Sequence, residues 1–251
     1  MRLNTITKAG FVAAAAMLVA TGTAVASDHA FYEDFDRGQN TVLDAENADW
    51  YGSIQKVRSG KAGNIDSSEN SKFHAIVAPD ASYPTGPFTR FDGYAEAGQA
   101  FQAFNTSVDV YLDESWPVGE GFEWDVAATG TDGAHQQDFV IHVQRTENGF
   151  LVGASNNSNH PSGVINVPSK YAPAVPLDDG GWVPLTHNFT TTEVEGYGDV
   201  LAVEMAVDGQ TLGTSISEDR NVITEVAGNR YGWFTLITAD HVNIDNITLT
   251  R

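Results

Sequence analysis

From Leu201 to Thr250 the chain alternates apolar and polar residues in short runs separated by turn residues, a pattern that paired β-strands satisfy and helices do not. The runs are Leu201 to Val207, Gln210 to Ser217, Tyr231 to Thr238 and Val242 to Thr250, and Asp208-Gly209 between the first two predicts a two-residue hairpin turn. Upstream, Phe104 to Leu112 alternates cleanly, with Phe104, Thr106, Val108, Val110 and Leu112 on one face and Asn105, Ser107, Asp109 and Tyr111 on the other. Gly121 to Ala128 and Asp138 to Arg145 continue the pattern, and Phe150 to Ala154 is placed to return as a hairpin through Glu147-Asn148-Gly149. Shorter strands are predicted from Ala30 to Phe35, Ile54 to Val57 and Phe73 to Val77, the last two in a stretch otherwise rich in Gly, Asn, Asp, Ser and Pro. A single weak helical pattern spans Tyr94 to Ala103.

So many short strands in one sheet would leave a large apolar face in water. Two sheets packed face to face solve this, and the chain is predicted to be all-β, a two-sheet antiparallel β-sandwich of jelly-roll type.

Residues 1–26 have the layout of a secretory signal peptide. Arg2 and Lys8 are basic, Ala9 to Ala20 is apolar, and Ala24-Val25-Ala26 offers small residues for cleavage. The apolar run is too short to span a bilayer, so the prediction is a secreted or periplasmic protein with no membrane insertion after signal removal, and one domain over residues 27–251. The chain has no cysteine, so disulfides contribute nothing to its stability.

The formal charge of −20 argues against nucleic acid, anionic lipid and acidic polysaccharide as partners. It also keeps an acidic protein dispersed in salty surroundings.

Four segments resemble the concanavalin A-like lectin/glucanase sandwich in its laminin-G-like and exported bacterial versions: Phe31 to Asp36, Trp182 to Phe189, Val207 to Leu212 and Val242 to Leu249. Asp138 to Arg145, Val152 to Asn157 and Asn229 to Phe234 are similar to exported bacterial members of unknown function. The resemblance implies that the first and last strands pair, that a concave sheet holds polysaccharide and in some members cleaves it, and that an edge binds calcium. It supports fold more directly than activity.

The glucanase branch carries Glu-x-Asp-x-x-Glu on one strand. Glu123-Trp124-Asp125 supplies the first two carboxylates on one face, but Ala127 and Ala128 stand where the third should fall, which leaves an acidic outer strand face as the plainer expectation. A lyase would need a neutralising group and a Tyr or His base. His142 and Gln144 share a face with Asp138 and Val140, opposite Phe139, Ile141 and Val143, but the Arg-rich and Tyr-x-Lys strands of lyases are absent. No catalytic residue is therefore assigned.

A glycan-binding face needs flat rings and planar amides. Trp124 is one such ring, and the assigned ligand-binding set is His142, Gln144, Asn156, Asn157, Trp182, Arg230, Tyr231 and Trp233. For a structural calcium ion the oxygen ligands are Glu33, Asp34, Asp36 and Asp245, with a bulge expected at Ile244 to Ile247 to turn Asp245 outward. The leading expectation is non-catalytic binding of a neutral glycan. A polysaccharide-degrading enzyme with an unfamiliar site and a structural cell-surface protein are the alternatives.

Overall fold

The computed structural model describes residues 29–36, 50–61, 63–69, 71–79, 86–91, 98–156, 165, 167, 172–216 and 222–251. The predicted leader lies outside them, as do Asn157 and the side chain of Arg230.

The first seven strands are β1 (His29–Glu33), β2 (Trp50–Tyr51), β3 (Ile54–Arg58), β4 (Phe73–Val77), β5 (Phe88–Thr89), β6 (Phe104–Leu112) and β7 (Gly121–Gly130). They are followed by β8 (His135–Thr146), β9 (Gly149–Ser155), β10 (Val175–Leu177) and β11 (Gly181–Val194). The last four are β12 (Gly198–Val207), β13 (Gln210–Ile216), β14 (Val226–Ile237) and β15 (Val242–Thr250). Among the described residues the only helical element is one 3-10 turn, Ile223–Glu225. Residues 98–103 of the weak helical pattern are not helical.

The strands form two antiparallel sheets. The first has eight strands in the order β13-β12-β11-β6-β15-β4-β3, with β1 also paired to β15. The second has seven, in the order β10-β9-β8-β7-β14-β5-β2. The expected pairing of the chain ends is therefore present, with Tyr32 opposite Thr248 and Glu33 opposite Ile247. Asp208 and Gly209 both have positive φ, 46° and 71°, and Val207 pairs with Gln210, the geometry of a two-residue hairpin. A three-residue β10 and the two-residue strands β2 and β5 complete the second sheet, and no alternation in the sequence reveals them.

One core lies between the layers. The first sheet supplies Val108, Val110, Leu185, Phe189, Val203, Met205, Ile244 and Ile247, and the second supplies Phe122, Trp124, Val126, Phe139, Ile141, Val143, Val152 and Phe234. Phe139 meets Phe189 edge-on across it at 5.3 Å, and within the first sheet Phe104 stacks on Phe189 at 4.2 Å. Such contacts add about 0.5–1.5 kcal/mol each beyond burial. Trp50, Trp116 and Trp124 are all core residues. β7 is buried along both faces, so its outer side is covered and the expected acidic, solvated face does not exist.

Candidate functional site

Strand register decides which side chains share the outer face of the seven-stranded sheet. Trp124 points into the core, so Glu123 and Asp125 point out, as the period of two requires. Trp233 is opposite both Asp125 and Phe88, and Phe88 is opposite Tyr51, which puts Tyr51, Phe88 and Trp233 on that same outer face. Tyr231 joins them two residues before Trp233.

These four rings form a continuous strip. Tyr51 and Phe88 stack at 4.7 Å with planes 8° apart. Phe88 and Tyr231 follow at 5.9 Å, and Tyr231 meets Trp233 edge-on at 5.5 Å. The Arg90 guanidinium lies 4.6 Å over Tyr51, and the exposed His135 ring is nearly parallel to Tyr231 at 6.5 Å. Each ring of the strip is half-buried, anchored by its neighbours with part of its surface open. Gly232 separates Tyr231 from Trp233 for a steric reason: a Cβ there would lie 2.6 Å from ring atoms of Phe91 and Trp124 in the core.

Beside the strip the face is polar and closed. Glu123 accepts at Oε1 from His142 Nδ1 at 3.0 Å and at Oε2 from the Thr235 hydroxyl at 3.1 Å. His142 Nε2 meets Ser155 Oγ at 2.8 Å. This row crosses β14, β7, β8 and β9, with Glu123 and His142 fully buried and Ser155 7% exposed. Asp125, one pair further along β7, accepts the Phe139 N–H at 3.2 Å. Burial, reinforced by Asp138 and Glu123, pushes its carboxyl well above the usual range, and its bond from Phe139 only partly opposes this. Asp138 in turn is 2.6 Å from His135 Nε2.

The predicted ligand set is thus divided. Tyr231 and Trp233 stand in the strip. His142 and Gln144 share its face, but His142 is enclosed between Glu123 and Ser155, and the Gln144 amide donates to the carbonyls of Ile165 and Gly119. Asn156 follows the end of β9. Trp182 belongs to the other layer: it lies opposite Tyr111 on the outside of the eight-stranded sheet, 5.9 Å from the His74 ring, and its Nε1–H donates to the Asp66 carbonyl. Trp124 is core. Tyr51, Phe88 and Arg90 escaped sequence reasoning because two-residue strands carry no periodicity. The sole signal was an aromatic or basic residue in a loop-rich stretch.

The predicted calcium ligands Asp34, Asp36 and Asp245 share the neighbourhood of Tyr32 at the paired chain ends. The expected bulge is present, with a register shift between Asp245 and Thr248 and Asn246 at φ 42°. The Asp245 carboxylate, however, accepts from the Ser68 N–H and hydroxyl, the Ser71 hydroxyl and the Asn246 N–H. Asp36 accepts from the N–H groups of Lys72 and Phe73, Glu33 from Phe35, and Asp34 from Asp36. Among the described residues no three His, Cys, Asp or Glu side chains are grouped to hold a metal ion. These carboxylates already accept backbone N–H groups, and Asp245 also accepts two serine hydroxyls.

A pocket of about 370 Å³ opens at one end of the sandwich, lined by Gln99, Gln102, Phe104, Asn229 and Arg251 among others. The Phe104 ring there is engaged with Phe189, so the pocket offers no open aromatic platform.

This architecture is that of a jelly-roll β-sandwich. The solved structure of the alginate lyase Aly36B superposes with a TM-score of 0.50 at 9% identity, over 88% of this chain and 96% of the lyase. An endo-1,3-beta-glucanase from Streptomyces sioyaensis (TM-score 0.44, 12% identity, 92% and 98% coverage) is also similar. So is the carbohydrate recognition domain of Emp47p (0.45, 7%, 92% and 99%). No protein-family model and no curated protein matches the sequence. The likeness is one of fold.

Proposed function

We propose that this protein binds a neutral glycan along the aromatic strip on the outer face of its seven-stranded sheet. The carrying observation is the continuous set Tyr51, Phe88, Tyr231 and Trp233, half-buried and coplanar enough at one end to stack at 4.7 Å. A pyranose presents an apolar face to such rings, and neighbouring polar groups, Arg90 and His135, are placed to meet its hydroxyls. The chain's charge of −20 favours an uncharged ligand over an acidic one. A secreted or periplasmic location is part of the proposal, resting on the leader-like residues 1–26; among the described residues no helix is long and apolar enough to cross a membrane.

The test is retention on insoluble neutral polysaccharides. Trp233→Ala and Tyr231→Ala should each lose retention while Trp182→Ala keeps it, and equal retention by all three would reject the strip as the binding face.

A polysaccharide-cleaving role is the second proposal, favoured by one feature: Asp125, whose carboxyl burial pushes well above the usual range, lies in register with Trp233. Release of reducing ends or unsaturated products, abolished in Asp125→Asn, would support it.

A further inference from the structure

The row beside the strip has the connectivity of a nucleophile, a base and an orienting acid. With Nδ1–H directed at the Glu123 carboxylate, His142 is the tautomer whose Nε2 carries a lone pair. The Ser155 hydroxyl, 2.8 Å away, then donates to that lone pair. Both distances fall in the range a serine nucleophile and its base require. Glu123 is held in turn by Thr235, so the orienting carboxylate has little freedom to turn away.

Position adds to connectivity. Ser155 is the last residue of β9, where the chain leaves the sheet, and it is the most accessible member of the three. Opposite His142 stands Gly153, and opposite Ser155 stands Val140, so the residues in register with the row are small or apolar. Asn156 follows at once and places a backbone N–H and a carboxamide one residue from the hydroxyl.

We propose that Ser155, His142 and Glu123 form an acyl-transfer site that hydrolyses small-acyl carboxylic esters. Ser155 Oγ attacks the ester carbonyl carbon as its proton passes to His142 Nε2. The tetrahedral adduct collapses, the C–O bond to the alcohol breaks, and the departing alkoxide takes the proton from His142. Water repeats the sequence on the acyl-serine, releasing the carboxylic acid and restoring the serine. Glu123 holds the imidazole's orientation and stabilises its charged form in both halves. Extension to O-acetyl groups on a sugar rests on the glycan-binding proposal; the chemistry at Ser155 does not.

The experiment uses the full chain in three arms. A fluorophosphonate probe followed by peptide mass spectrometry should label Ser155 in the wild type, and neither Ser155→Ala nor His142→Ala should be labelled. p-Nitrophenyl acetate should be hydrolysed by the wild type at least 100-fold faster than by Ser155→Ala. Circular dichroism and melting curves confirm that the variants fold, and Ser155→Cys provides a second test should alanine unsettle the sheet, because a thiol can still form an acyl adduct. Absence of labelling in the folded wild type, or hydrolysis unchanged in Ser155→Ala, overturns the proposal. Acetate release from acetylated xylan is the third arm: hydrolysis of the small ester without release from xylan supports the triad and counts against the glycan strip instead.

Discussion

His187 on β11 places its Nε2 3.0 Å from the carbonyl oxygen of Phe139 on β8, a hydrogen bond that crosses the core from one sheet to the other. Both residues are fully buried. Burial brings the His187 pKa down to about 3, against an ordinary value of 6.5, and the bond to Phe139 only partly opposes it. A histidine with a lowered folded pKa gives stability that is fully present above the unfolded pKa. As pH falls below 6.5 the unfolded chain takes up the proton first, and the stability drains away toward pH 3. Denaturant titrations from pH 7 to pH 4 should show this loss in the wild type and a shallower slope in His187→Gln. His187→Ala should cost about 1–3 kcal/mol at neutral pH, because it removes the bond that crosses the core to the Phe139 carbonyl.

Asp245 should act in the opposite sense. Burial lifts its pKa from 3.8 to about 6, although bonds from Ser68, Asn246 and Ser71 pull the other way. The folded state thus holds a proton that the unfolded state has released, and this contribution weakens as pH rises from about 4 to about 6. Carboxyl NMR should find one aspartate titrating near pH 6, and Asp245→Asn should remove that signal along with the associated decline in stability. A titration near pH 4 would show that the site is wetter than its geometry implies.

The tryptophans should separate by layer. Trp124→Ala empties a fully buried site and should cost about 3–5 kcal/mol. Trp233→Ala removes a half-buried ring that meets Tyr231 edge-on, so its cost should be smaller than that of Trp124→Ala, about 1–2 kcal/mol. Thermal melts of the two variants, run beside glycan retention, distinguish a ring that holds the fold from one that meets a ligand.

Chelation tests the predicted calcium site at Asp36 and Asp245, which already accept several protein donors each, and an unchanged melting temperature would count against an ion there. A fall of several degrees on adding EDTA, restored by calcium, would instead place an ion at the paired chain ends.

The alternation in Phe104–Leu112 and Val242–Thr250 predicted two strands to the residue, because a long half-buried strand must show its period of two. The same rule set Phe139, Ile141 and Val143 against His142 and Gln144, and the bulge at Asp245 was visible as a break in the pattern. Two-sheet packing followed from the number of apolar faces needing cover.

Which outer face gathers which rings was decided only by long-range pairing. Trp182 and Trp233 are equivalent in sequence, each an aromatic in a strand, yet β11 joins one sheet and β14 the other. Tyr51 and Phe88 reach Trp233 through two-residue strands too short to register as a pattern. Likewise Glu123, His142 and Ser155 lie 19 and 13 positions apart and become one hydrogen-bonded row through strand register alone. Local sequence dictates backbone period and the face of each strand, since those depend on neighbours in the chain. The order of strands in a sheet depends on which distant faces bury each other best, and in this protein that order created both the strip and the serine row.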